Sequence, residues 1–146
     1  MDFTLTEEYQ MVQEMARRFA ETEIKPRAAE LDARHEHPAE IVKKLGELKM
    51  MGIVVPEEYG GALVDSVSYC LAVEEIARAC AATSLIMTVH CTTACFPLVK
   101  FGTAEQKQRY LPRLASGEWL GGFALTEPGA GSDASAVATT AVRDGD

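Results

Sequence analysis

Thr126-Glu127-Pro128-Gly129-Ala130-Gly131-Ser132-Asp133 is the stretch of this sequence best equipped to hold a ligand. Pro128 sets a turn, and Gly129 and Gly131 leave the backbone free to aim several N–H groups at one point. Ser132 adds a hydroxyl donor. A concavity of this kind binds an anion such as a phosphate, but glycine-rich turns are also ordinary tight loops, and the local sequence fits both. Two better-known phosphate loops are excluded. A dinucleotide fingerprint needs a third glycine and a following amphipathic helix, and a Walker A loop needs Gly-Lys-Ser/Thr. Glu127 is the carboxylate inside the stretch. It begins the turn, so it reads as a brace that holds the loop by hydrogen bonds, not as an acid or base.

Other residues with chemical potential read more plainly. His90, Cys91 and Cys95 share a helix face, as metal ligands often do, but a fourth ligand is missing and the surroundings are apolar. A packed core with no metal follows. Met50 and Met51 read as core fillers, and Trp119 as a residue packed between domains. The four cysteines form no CxxC pair, and the opening Met1-Asp2-Phe3-Thr4 has neither a basic n-region nor an apolar h-region. These features point to a reduced, cytoplasmic setting. The net charge of −8, from 14 basic and 22 acidic residues, argues against nucleic acid, which needs a basic surface. It leaves room for an anionic cofactor held by backbone amides. An apolar content of 47% supports a real core and excludes a disordered chain. Leu85 to Phe101 is apolar but carries His90, Pro97 and Lys100, and it falls short of the roughly 20 residues of a membrane span. It is expected to be a buried helix, with no membrane span.

The elements that would position these groups are mainly helical. A first helix is expected from Leu5 to Ala33, capped by Thr4 with Glu7 completing a capping box, and kinked or broken near Lys25 by Pro26. A second starts near Pro38 and buries Ile41, Val42, Leu45 and Leu48. Ile53-Val54-Val55 reads as a short extended run, followed by a tight connection through Gly60-Gly61. A third helix, from Asp65 or Ser66 to Ala82, turns Leu71, Ala72, Ile76, Ala77 and Cys80 inward. It leaves Glu74, Glu75 and Arg78 outside, with a Glu74–Arg78 pair. Thr83 and Ser84 would cap an apolar fourth helix at the centre of the bundle. Thr103 and Gln106 form a capping box for a fifth, which ends at Ser116-Gly117. Trp119 to Thr126 and Ala136 to Val142 then read as strands. Two strands make at best a marginal sheet, so the β part is expected to be cut off in mid-domain, with residues 1–116 helical and 117–146 the incomplete start of a β domain.

The run from Phe123 to Asp133 (FALTEPGAGSD) resembles the first signature of the acyl-CoA dehydrogenases. Pro56 to Gly61 (PEEYGG), Tyr69 to Ala79 (YCLAVEEIARA) and Phe101 to Pro112 (FGTAEQKQRYLP) resemble, in order, the loop, third helix and connecting helix of that family. The opening MDFTLTEEY is similar to butyryl-CoA-type members. The resemblance covers the whole chain. It implies an N-terminal helical domain, a middle β-barrel and a C-terminal four-helix domain, with FAD between the last two. It also implies α,β-desaturation of an acyl-CoA thioester, in which a glutamate base removes the α-proton and hydride passes to the flavin. The electrons then go to an electron-transferring flavoprotein, and family members are usually homotetramers. On this template Phe123, Ala124, Leu125 and Thr126 would lie along the flavin ring. Gly131 and Ser132 would face the FAD diphosphate, with Ser132 also on the CoA side. Side chains from Val89 to Cys95, including Val89, His90 and Cys95, would touch the acyl chain. The catalytic base belongs to a later domain, so none is named here. Two alternatives stay open: a non-catalytic helical scaffold or oligomerisation module, and an acyl-CoA oxidase that reacts with oxygen.

Overall fold

Thr6, not Thr4, caps the first helix. In the computed structural model, which describes residues 4–145, the Thr6 hydroxyl accepts the Tyr9 amide at 3.4 Å and α1 runs Glu7–Phe19. The expected box with Glu7 does not form, because Glu7 is itself the first helical residue. Its charge there complements the positive end of the helix dipole. The helix does not break at Pro26. A π turn, Ala20–Ile24, carries it into α2, Lys25–Arg34. Pro26 has no N–H for the Thr22 carbonyl, and its ring crowds that turn. The wider π turn accommodates both, with the Lys25 N–H reaching back to the Ala20 carbonyl and the Thr22 hydroxyl donating to the Arg18 carbonyl at 2.9 Å.

α3, Ala39–Glu47, starts at Pro38 as expected and buries Ile41, Val42 and Leu45. Leu48, placed in the same stripe by its spacing, is instead the C-cap residue and stays 38% exposed. Residues 53–55 form turns, not an extended run. The Val55 amide is taken by Gly52, and the returning chain donates from Leu63 to Val55 and from Val64 to Ile53, both at 3.0 Å. The segment therefore buries Ile53 and Val55 without a strand partner.

α4, Ser66–Ala79, is capped by Asp65, whose carboxylate accepts the Ser68 amide at 2.8 Å. Its inner face differs from the expectation in one respect that matters. Glu75 is buried at 3% exposure, and its carboxylate meets Arg17 of α1 at 2.8 Å and Arg78 at 3.4 Å. Ala77 is exposed and Leu71 only half-buried. A helical wheel places a carboxylate outside by default. Here the neighbouring helix supplies a guanidinium, which lets the charge sit inside.

α5, Ala81–Val89, begins just after Cys80, which is extended. Thr83 and Ser84 are therefore inside the helix and buried, not caps, and the Ser84 hydroxyl donates to the Val73 carbonyl at 3.4 Å. A second π turn, His90–Cys95, leads into α6, Phe96–Phe101. It stands to Pro97 as the first stands to Pro26, and the Thr93 hydroxyl donates to the Val89 carbonyl at 2.7 Å. The combined helix Ala81–Phe101 has 21 residues, long and apolar enough to cross a membrane by length and composition. The expectation that it is too short is corrected by its earlier start. Met87, His90, Cys91 and Cys95 on one face are nonetheless fully buried against protein, as in a core helix. Leu85, Phe96 and Phe101 on the other side are exposed, so the helix is not enclosed all round.

α7, Ala104–Ala115, carries the expected capping box of Thr103 and Gln106 and ends at Gly117, φ 74°. One core cluster joins α1, α3, α4 and α5 around Ile24, Ile41, Leu45, Ile76 and Met87. A second joins Val55, Cys95, Leu111 and Leu114. α3 lies so close to the end of α7 that a Cβ on Gly46 would fall 2.0 Å from the Ser116 carbonyl oxygen. Beyond Gly117 the expected strands Trp119–Thr126 and Ala136–Val142 do not pair. Among the described residues the β contact is a single bridge between Glu127 and Ala130, with a 3-10 turn at Ala134–Ala136. A strand is stable only against a partner, and these residues find none among those described.

Candidate functional site

The chain leaves the helical body over a short, tightly held path. The Trp119 amide donates to the Arg113 carbonyl at 3.0 Å. The Arg113 guanidinium lies 4.6 Å from the Trp119 ring centre, and Tyr110 packs against the same ring. Trp119 thus packs on α7. Two residues on, the Gly121 amide donates to Nδ1 of His90 at 2.9 Å. A Cβ on Gly121 would fall 2.2 Å from the Ala94 side chain, so only glycine permits this approach.

His90 is completely buried. Because Nδ1 accepts, Nε2 carries the proton, and it donates to the Leu114 carbonyl at 3.1 Å. Burial pushes the imidazole below its usual range, which favours this neutral form. Cys95 lies 3.4 Å from the same nitrogen. Cys91 donates its thiol to the Met51 carbonyl at 3.4 Å. Burial pushes both thiols up to about 12, so they are neutral at physiological pH. No group of residues able to hold a metal occurs among the described residues, and Met50 and Met51 are core residues.

Phe123 to Thr126 form neither helix nor paired strand and are exposed, Phe123 at 60% and Leu125 at 43%. Among the described residues, the amides of 123–126 make no hydrogen bond within the chain. The turn that follows is closed on itself: the Glu127 amide donates to Ala130 at 2.9 Å, and the Ala130 amide returns to Glu127 at 3.1 Å. The Glu127 carboxylate accepts the amides of Ala138 and Thr139, each at 2.9 Å, and the Thr139 hydroxyl. These donors, the hydroxyl foremost, hold its pKa below the usual carboxylate range. It is a brace, as its position at the start of the turn suggests. Gly129 and Gly131 take no positive φ, so the turn itself does not require glycine there. A Cβ on either would meet nothing within 4 Å. Gly131 and Ser132 are exposed.

Of the side chains expected near an acyl chain, Val89 lines a shallow apolar groove of about 260 Å³ with Leu85, Ile86, Leu120 and Gly121. His90 and Cys95 do not line it: both are fully buried, with their polar atoms engaged by protein. The contact between His90 and Gly121 was not anticipated. The one signal available was a histidine in an otherwise apolar helix, which says that a polar partner exists but not which.

The family described as acyl-CoA dehydrogenase, N-terminal domain, matches residues 6–118, a range that holds Val89, His90 and Cys95 and ends before Trp119. The chain belongs to the acyl-CoA dehydrogenase family. It is 51% identical over 146 residues to a probable acyl-CoA dehydrogenase, YngJ, of Bacillus subtilis. It is 50% identical over 147 aligned positions to a short-chain specific acyl-CoA dehydrogenase of Clostridium acetobutylicum. Both alignments cover 100% of this chain and 38% of the relative, so the chain spans well under half the length of these curated relatives. In three dimensions it superimposes on an acyl-CoA dehydrogenase complexed with FAD from Bacillus anthracis with a TM-score of 0.85. The identity is 39%, over 91% of this chain and 23% of that one. The helical body is therefore the N-terminal helical domain of the acyl-CoA dehydrogenase fold.

Proposed function

We propose that this chain supplies the N-terminal helical domain and the first flavin-facing segment of an FAD-dependent acyl-CoA dehydrogenase. In this division residues 1–116 form the domain and 117–146 open the next one. The observation that carries the reading is the exposed Phe123–Thr126 backbone, with amides unclaimed among the described residues, running into a turn locked by Glu127. Unclaimed donors on a braced, exposed segment suit a group rich in acceptors, and the open space beside Gly129 and Gly131 leaves room for it. The FAD complex of the Bacillus anthracis relative supports the same assignment.

When bound, FAD supplies the two-electron oxidant for an acyl-CoA thioester. The chain's own residues have preparatory roles. The amides of Phe123, Ala124, Leu125 and Thr126 and the Thr126 hydroxyl would donate to the ring's acceptors. Gly131 and Ser132 would donate toward the diphosphate, with Ser132 also facing CoA. Glu127 holds the turn and moves no proton. Val89, which lines the apolar groove with Leu85 and Ile86 of α5, has access to an acyl chain, whereas His90 and Cys95 are fully buried. Electron-transferring flavoprotein as acceptor and a tetrameric assembly belong to the same proposal for the longer protein.

The test is a hybrid in which residues 1–146 replace the corresponding segment of the Clostridium acetobutylicum short-chain dehydrogenase. The expected result is a yellow protein that oxidises butyryl-CoA with an artificial acceptor. Thr126→Val should lower flavin retention about tenfold, the effect of one lost hydrogen bond to a polar ring. A hybrid that folds and assembles but stays colourless overturns the proposal.

A further inference from the structure

We infer that His90 is the positioning residue that fixes where the chain leaves the helical domain, and through Gly121 sets the path of the segment proposed to face flavin. The inference deepens the reading above and rests on it for its functional meaning, though its geometry stands alone. His90 belongs to the π turn His90–Cys95. A π turn sets side chains at angles a regular helix does not offer, and here it faces two other segments at once. Nε2 donates to the carbonyl of Leu114 in the last turn of α7 at 3.1 Å, and Nδ1 accepts the Gly121 amide at 2.9 Å. One buried ring thus joins three segments: its own π turn, the end of α7, and the start of the non-helical segment that leads to Phe123.

Both contacts are needed to define the ring's state. The Gly121 amide leaves Nδ1 unprotonated, and the Leu114 carbonyl needs a proton on Nε2. An imidazolium fails the first and the other tautomer fails both. Gly121 completes the joint from its side. A Cβ there would fall 2.2 Å from Ala94 in the same π turn, so the backbone reaches the ring only because it is glycine. A Cβ on Gly122, next along, would meet nothing within 4 Å, and the amides of 123–126 make no hydrogen bond among the described residues. The ring is therefore the last fixed point before Phe123–Thr126.

The test uses the isotope-labelled chain and needs no flavin. In the wild type, a scalar coupling across the N–H···N bond should connect the Gly121 amide to a ring nitrogen of His90, and that amide should exchange slowly. His90→Asn, whose side-chain oxygen reaches the place of Nδ1, should keep the slow exchange. His90→Phe should speed Gly121 exchange about five- to tenfold, as expected for one hydrogen bond. It should also shift the amide signals of 122–126 while leaving Leu111 in α7 protected. A merely structural histidine would change α7 and Gly121 alike and would not be rescued by asparagine. A missing coupling in the wild type, or unmoved signals at 122–126 in His90→Phe, overturns the inference. If His90→Phe does not fold, the wild-type coupling and Gly121→Ala decide: the latter must displace the signals of 122–126. A clamp that is intact in a chain whose hybrid stays colourless would refute the flavin reading and leave this one standing.

Discussion

Glu127 occupies both carboxylate oxygens with donors eleven and twelve residues ahead, the amides of Ala138 and Thr139. Such bonds favour the charged form, which is why its pKa lies below the usual range. The loop closure it contributes is complete above the ordinary glutamate value and is lost as pH falls through the lower folded value. An amide titration of Ala138 and Thr139 should show both shifting together in that acidic window, and Glu127→Gln should abolish the step and make 128–137 the first site of limited proteolysis. Separate titrations of the two amides would contradict a single brace. Glu75 follows the same sign for a different reason. The Arg17 guanidinium beside it is the main cause of its lowered pKa. Its pairing therefore stabilises the fold above the ordinary glutamate value and is lost as pH drops below it. Arg17→Ala leaves that carboxylate buried beside the more distant Arg78, and stability should fall by about 2 kcal/mol in urea denaturation at neutral pH. The gap should narrow in acid; a gap that stays constant would mean packing of the arginine stem dominates.

At the scale of elements, the caps and stops were legible in the sequence where a side chain acts on its own neighbours. Thr103 with Gln106, Asp65, Pro38 and Gly117 all work within a few residues, and each marks the boundary its type suggests. The misses have two causes: some depend on something distant in sequence, and others shift a boundary by a few residues, as Thr6 in place of Thr4 does. Glu75 is inside because α1 brings Arg17. Thr83 and Ser84 lie within a helix because Cys80, and not they, makes the turn. The strands expected at Trp119–Thr126 and Ala136–Val142 do not form among the described residues, and periodicity cannot report whether a partner is present. Pro26 reads as a kink or break, but it and Pro97 each stand just after a π turn, where a threonine hydroxyl donates to a carbonyl near the widened turn. Close approach of elements makes a sharper prediction. Gly46→Ala drives a methyl to 2.0 Å from the Ser116 carbonyl, and forcing α3 and α7 apart should cost about 2–3 kcal/mol. Gly122→Ala, with open space around it, should change stability by less than about 0.5 kcal/mol. Equal effects in thermal melts would show that the two helices yield freely.

For the molecule as a whole, the signature loop shows how little of a binding site a signature has to contain. The residues of the first signature, 123–133, are mostly exposed, and Ala130 is the one buried among them. Their order and type were readable because backbone donors and glycines are local properties. The walls that would exclude water from a flavin are not local, and Phe123 and Leu125 stay largely exposed. Hydrogen bonds exposed to water contribute little net free energy, because water competes for the same donors, while immobilising a large cofactor carries a substantial entropic cost. The 146-residue chain alone should therefore bind FAD with a dissociation constant no tighter than about 0.1 mM. Quenching of flavin fluorescence on titration, with 39% identity to a relative that holds FAD as the reason to try it, measures this directly. A stoichiometric yellow complex from the chain alone would contradict that accounting. It would mean that the apolar groove beside Val89 and the exposed run from Leu120 to Leu125 fold over the ring, a rearrangement that slowed exchange at the amides of 122–126 would reveal.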